Sequence, residues 1–361
     1  MNLFQKYLAE EFVEDYAEGR LSRREALKLI VSVTGSAVVA TGLLAACAPK
    51  PTAATATPGG GAATLAASPS VPPPTAPPAV PSATSPAVSS GTAVASPAAT
   101  SAATTTAPAA TAEASASPVL SLGGTVSPDD PAISAQAVEF PGADGATLLG
   151  YLARPTGEGP FAVILVCHEN RGLTEHIQDV ARRLAKAGYV ALAVDLLSRL
   201  GGTAAVGSDA VPGALGNISP DQFVQDFRSG WLYLGDQPGA QTQRVGMVGF
   251  CFGGGVTWQV AVHMPELKAA VPFYGPAPLV EDVPSIQAPV LAIYAGNDTR
   301  INSGIPAIEA AMQANGKVYQ KIIYPNVDHA FHNDTSSRYN AEAARAAWAE
   351  TLAWFAKYLA A

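Results

Sequence analysis

From Ala132 onward the apolar positions follow two rhythms, short continuous runs and stretches with helical spacing. Ala132–Phe140 and Ala146–Pro155 carry the strand rhythm around Gly142-Ala143-Asp144-Gly145, which predicts an opening antiparallel hairpin. Phe161–Val166 is apolar throughout, as a parallel strand buried on both faces requires. A helix is predicted from about Thr174 to Ala187, stopped by Gly188, and a strand over Tyr189–Leu196. A Gly-rich loop leads to a helix over Pro220–Leu234, then to strand Val245–Phe250, a sharp turn and another helix. Strands Leu267–Tyr274 and Pro289–Ala295, a helix around Ile305–Ala314, strand Val318–Tyr324 and a closing helix Ala341–Leu359 complete the pattern. This alternation predicts an α/β fold, a mostly parallel central sheet with helices on both faces. Ligands of such sheets sit beyond the carboxyl ends of the strands, so the chemistry is expected in the loops there.

The first 130 residues have a different character. Ser22-Arg23-Arg24-Glu25-Ala26-Leu27-Lys28 resembles a twin-arginine export signal. The apolar run Leu29–Ala46 behind it is short and diluted by Gly, Ser and Thr for a membrane span. It ends in Leu44-Ala45-Ala46-Cys47, which resembles a bacterial lipobox. Residues 1–47 are therefore expected to be an export signal, with Cys47 lipidated and the protein anchored on the extracytoplasmic side, in the periplasm or at the cell surface. An uncleaved signal anchor would give the same topology. Leu3–Tyr16 has helical apolar spacing and many carboxylates, unusual for the leading region of a signal. Residues 48–130 are almost all Ala, Pro, Thr, Ser and Gly, and are expected to be a disordered linker. As a coil it would span on the order of 50 Å. Residues 131–361 remain, enough for one sizeable core and a monomeric domain.

Charge and cysteine usage narrow the function classes. A formal net charge of −8, with no basic run beyond the first thirty residues, argues against a nucleic-acid surface. Cys47, Cys167 and Cys251 make neither a disulfide framework nor a zinc-ligand spacing.

Gly249-Phe250-Cys251-Phe252-Gly253-Gly254 follows a strand and precedes a helix, the context of a nucleophile elbow. Glycines two before and two after the nucleophile are needed because side chains there would collide with the turning backbone. The helix N-terminus beneath the thiol is expected to lower its pKa from about 8.5, and the Phe252 N–H to point at a developing oxyanion. Asp298 and His329 follow two later strands, in the nucleophile–acid–base order of α/β-hydrolases. Imidazole would take the thiol proton and the carboxylate would fix its tautomer. Among the competitors, His168 is positioned as a wall residue, His176 and His263 as helix-surface or capping residues, and His332 lies three past His329. Asp328 rivals Asp298 but is adjacent to the histidine.

These residues resemble the dienelactone hydrolase family over roughly Ser134 to Leu359. The likeness is carried by Cys167-His168-Glu169-Asn170-Arg171-Gly172-Leu173, Val194-Asp195-Leu196, Gly249–Gly254, Phe273-Tyr274-Gly275, Gly296-Asn297-Asp298 and His329-Ala330-Phe331. The resemblance implies an α/β-hydrolase fold and a cysteine hydrolase of a small ester or lactone, without metal or organic cofactor. It also implies that Glu169 sits beside Cys251, held off by a basic residue until substrate arrives, and that the Asn170 N–H completes the oxyanion hole. Where the lactone-cleaving members place a substrate-binding arginine four residues after the histidine, this chain has Asn333. Arg171 is a candidate basic partner for Glu169 and, with Asn333, a candidate substrate-binding residue. A substrate less charged than dienelactone is expected, with Ser198–Ser219 walling its pocket. Peptidase or thioesterase chemistry on the same scaffold is the alternative, and a non-catalytic lipoprotein binding module a third reading. Cys167, two residues before Glu169, is expected to be a buried free thiol.

Overall fold

In a computed structural model, which describes residues 1–46 and 124–360, the apolar runs form one eight-stranded sheet. The strands are β1 (Ile133–Pro141), β2 (Thr147–Pro155), β3 (Phe161–Cys167), β4 (Val190–Asp195), β5 (Ala240–Phe250), β6 (Ala269–Phe273), β7 (Val290–Ala295) and β8 (Tyr319–Tyr324). Their spatial order is β1-β2-β4-β3-β5-β6-β7-β8. β2 runs antiparallel to β1 and β4, and every other pairing is parallel. Strands β4, β6 and β7 are buried at every position, and apolar throughout save Asp195 at the end of β4, because helices cover both faces.

The helices are α1 (Leu3–Ala17), α2 (Arg23–Thr34), α3 (Ala37–Ala46), α4 (Glu175–Lys186), α5 (Thr203–Val206), α6 (Val211–Gly216), α7 (Pro220–Leu234), α8 (Phe252–His263), α9 (Thr299–Asn302), α10 (Ile305–Ala314) and α11 (Ala341–Tyr358). α7 and α8 pack on one face, with Gly230 against Leu165, while α11 covers the other, with Phe355 against Gly246. α4 carries Glu175 in its first turn and Arg183 and Lys186 in its last, which suits the helix dipole.

Residues 1–46 pack against this domain. α1 opens with a capping box between Asn2 and Gln5, and α2 with one between Ser22 and Glu25. α2 stops at Gly35, which takes a left-handed φ of 68°. The run that resembles a twin-arginine signal, Ser22–Lys28, is the cap and first half of a helix, with Arg23 and Arg24 exposed. Phe4, Tyr7, Leu8, Glu11 and Phe12 recur at spacings of three and four, and all five are buried against the domain. Ala26, Ile30 and Val33 do the same for α2, which lies on α6; a Cβ on Gly213 would strike Ser32. The loop expected over Ser198–Ser219 therefore contains α5 and α6 and supports α2. Among the described residues no helix is long and apolar enough to cross a membrane. Cys47 and linker residues up to 123 lie outside the described residues. The fold begins before the boundary expected at residue 130: Val126 is buried, and its N–H donates to Asp179 Oδ1 at 2.6 Å.

Candidate active site

Cys251 occupies the turn between β5 and α8 with φ 58° and ψ −120°, a conformation that costs a non-glycine residue on the order of 1–3 kcal/mol. The surroundings enforce it. The Cys251 N–H donates to the Phe273 carbonyl at 3.1 Å. A Cβ on Gly249 would run into the Gly253 carbonyl, and one on Gly253 into the carbonyl of His168. Both glycines of the elbow are thus steric requirements.

Asp298 leaves β7 and caps α9: its Oδ1 accepts from the Ile301 N–H at 3.1 Å, while Oδ2 receives His329 Nδ1 at 2.6 Å. That bond leaves Nε2 facing the elbow, within 4.8 Å of Cys251 Sγ. Burial would push the Asp298 carboxyl up, but the His329 hydrogen bond and charge outweigh it and hold the group below its ordinary value. Burial likewise opposes charging His329. The negative charge available on Cys251 and the Asp298 hydrogen bond prevail and raise the imidazole well above its usual range. Asp328 instead accepts from Asn297 Nδ2 at 2.8 Å.

The competing histidines have other duties. His168 Nδ1 bonds the Glu169 carbonyl at 2.7 Å and its Nε2 accepts the Leu196 N–H at 3.2 Å, tying the ends of β3 and β4. His332 stacks on Phe250 at 4.9 Å, and burial pushes it well down, so it stays neutral. His176 is buried on α4, not on its surface, and bonds Asp334 Oδ1 at 2.8 Å. Cys167 and Cys251 are both free thiols, and Cys167 is wholly buried.

Two expectations require correction. The partner of Glu169 is not Arg171: Glu169 Oε2 accepts from Asn333 Nδ2 at 2.5 Å. Asn333 stands where the resemblance placed an arginine, so a neutral amide holds the glutamate. Arg171 is exposed on the cavity wall. Burial pushes the Glu169 carboxyl up. The second correction concerns the thiol. Burial and the charge of Glu11 push Cys251 up, against the helix N-terminus that was expected to lower it.

Glu11 belongs to α1, which sequence reasoning left without a role. Its carboxylate oxygens lie 3.7 and 3.8 Å from Cys251 Sγ, and Asn170 Nδ2 donates to Oε1 at 3.0 Å. One turn earlier, the Tyr7 hydroxyl is 3.2 Å from Sγ and 3.4 Å from His329 Nε2. The Arg300 guanidinium lies over the Tyr7 ring at 4.7 Å, and its Nε donates to Glu14 at 3.0 Å. Tyr274, the other aromatic beside the site, packs its ring 5.0 Å from His329. The helical spacing of α1 was visible in the sequence; the surface it covers was not. Beneath α1 and α2 lies a cavity of about 710 Å³ reached by Cys251, His329, Glu169 and Asn170. Among the described residues, Glu11, Cys251 and His329 form the one cluster with three potential metal-ligand atoms within 4.8 Å of one another. A thiol–imidazole pair capped by a carboxylate requires the same spacing.

An eight-stranded, mostly parallel sheet with a strand-to-helix elbow at its carboxyl edge makes this an α/β-hydrolase. The profile of the dienelactone hydrolase family matches residues 148–359. The chain belongs to that family and is a hydrolase. A protein of Methylorubrum extorquens that carries the provisional name carboxymethylenebutenolidase is 36% identical over 247 residues, covering 65% of this chain and 84% of its own. A protein of Escherichia coli K12 with the same provisional name is 33% identical over 260 residues, covering 68% and 94%. The crystal structure of a provisionally assigned dienelactone hydrolase from Klebsiella pneumoniae superposes with a TM-score of 0.59 at 32% identity, over 63% of this chain and 100% of that one.

Proposed function

We propose that this protein hydrolyses small carboxylic esters or lactones through an acyl-enzyme on Cys251. His329 takes the thiol proton, Sγ attacks the carbonyl carbon, and the oxyanion is received by the backbone N–H groups of Phe252 and Asn170. His329 then gives the proton to the departing alkoxide oxygen. In the second half it deprotonates the water that cleaves the thioester. Asp298 holds the imidazole in the tautomer that presents Nε2 to sulfur.

The observation that carries the reading is the thiol on a positive-φ elbow, facing a histidine whose far nitrogen is fixed by a buried carboxylate at 2.6 Å. The cavity has room for a small substrate, and the relatives' names point to lactones. The test is turnover of the full chain against chromogenic esters and lactones graded in length and charge, with mass spectrometry of the quenched reaction. The expected result is ester turnover with an acyl adduct on the Cys251 peptide. An adduct on another residue, or no turnover of any ester or lactone, would sink the proposal.

A further inference from the structure

We infer that α1 is a working part of the active site and that Tyr7 is a further catalytic residue, its hydroxyl hydrogen-bonding the Cys251 sulfur and then the leaving-group oxygen. The inference rests on the reading of Cys251 as nucleophile and goes beyond it, because residues 1–46 lie outside the family match at 148–359.

The geometry is specific. The phenolic oxygen is within reach of both Sγ and Nε2, the two atoms between which the proton moves. The ring is held by Arg300, which the Glu14 carboxylate holds in turn, so α1 is clamped to the helix that follows Asp298. Farther up α1, Phe4 packs its ring 5.2 Å from Phe223 and 4.9 Å from Phe252, next to the nucleophile. α1 roofs the cavity and does not fill it: about 710 Å³ remains beneath it, with Cys251 and His329 on its wall. A plug would leave no such room.

The chemistry balances without a new reactant. The thiol proton goes to His329 Nε2 as the S–C bond forms and the carbonyl π pair moves onto the oxyanion; when that pair returns the C–O bond breaks, and the same proton passes to the departing oxygen. Tyr7 keeps its own proton throughout. Burial pushes its phenol well above the ordinary value of 10.0, which makes it a donor and not a base. Facing the sulfur with it are Glu11 of α1, His329 after β8, Glu169 after β3, Tyr274 after β6 and Cys167 of β3, while Arg300 of α9 faces Tyr7 and Glu11. A neutral donor stabilises the thiolate and a carboxylate opposes it, so the two α1 residues act with opposite sign.

The test uses the full chain and two near-isosteric variants, Tyr7→Phe and Glu11→Gln, each checked for a melting temperature close to that of the parent. Two rates are measured across pH: ester hydrolysis, and alkylation of Cys251 by iodoacetamide, which needs no substrate. Tyr7→Phe is expected to lower kcat by about tenfold or more and to move the alkylation midpoint up by about half a pH unit or more. Glu11→Gln is expected to move that midpoint down. Unchanged kcat and midpoint in Tyr7→Phe overturn the inference. So does faster hydrolysis, which would make α1 a plug. A parent inactive on every ester, with the alkylation shift intact, would defeat the hydrolytic reading while keeping Tyr7 as donor to the thiolate.

Discussion

In the proposed mechanism Cys251, His329 and Asp298 act on one proton, so their substitutions should report it as a unit. Alanine bears the positive φ of 58° at the elbow no worse than cysteine does, so Cys251→Ala is expected to fold with an unchanged melting temperature. Turnover should fall about a thousandfold or more, and His329→Ala should cost a comparable factor. Asp298→Asn removes the acceptor at 2.6 Å that selects the tautomer, and is expected to lose about a thousandfold in kcat. More than a few per cent of parental activity in Cys251→Ala would move the chemistry elsewhere. That these three side chains meet was legible in the sequence because an elbow is a local motif and its partners follow strand ends. The partner of Glu169 was not. Which of Arg171 and Asn333 reaches it depends on how two distant loops meet, and the structure brings Asn333.

At the scale of elements, the strands and helices of the domain follow the apolar rhythm closely, since each buries a face that the periodicity already marks. α1 shows the limit. Its stripe of Phe4, Tyr7, Leu8, Glu11 and Phe12 is a good amphipathic face, yet the pattern does not say what it docks on. Phe4→Ala removes a fully buried ring at that interface and is expected to cost about 3–5 kcal/mol of the stability of the docked helix. Limited proteolysis should then cut α1 while the domain survives, with slower hydrolysis; unchanged protection of α1 would count against the interface. α4 carries a second, pH-dependent contact. Asp334, in the loop after His329, is held well below the ordinary carboxylate range by its hydrogen bond to His176 and by Arg183, against burial. Its folded pKa is depressed, so its stabilisation is present above the unfolded value of about 3.9 and is lost as pH falls through the lower folded value. Asp334→Asn is therefore expected to lower the melting temperature at pH 7, with the gap to the parent closing in acid. A gap that persists unchanged at the lowest pH would show that charge is not its origin.

For the whole molecule, the residues that resemble an export signal are also those that roof the active site. Cutting before Cys47 would remove Tyr7 and Glu11, so the working enzyme is expected to retain residues 1–46, with any export address read from the exposed Arg23 and Arg24 and left in place. Intact-mass measurement of the active fraction from a bacterial host checks this; an active chain beginning at Cys47 would overturn it. The cavity itself argues for neutral substrates. Of its four basic residues, Arg20 and Arg338 are paired with Asp15 and Lys28 with Asp209, which leaves Arg171, and Asn333 stands where the resemblance places an arginine. Neutral esters should therefore exceed matched anionic ones in kcat/KM by roughly ten- to a hundredfold. A preference for the anions would implicate Arg171. By itself the sequence determined the strand–helix alternation and the meeting of Cys251, His329 and Asp298 at the sheet's carboxyl edge, because burial periodicity and steric demands at a turn are local properties of the chain. Only the tertiary structure decided that α1 closes over that edge, that Asn333 holds Glu169 and that a carboxylate opposes the thiolate. Those are contacts between segments far apart in sequence, fixed by how surfaces pack and not by any residue's neighbours along the chain.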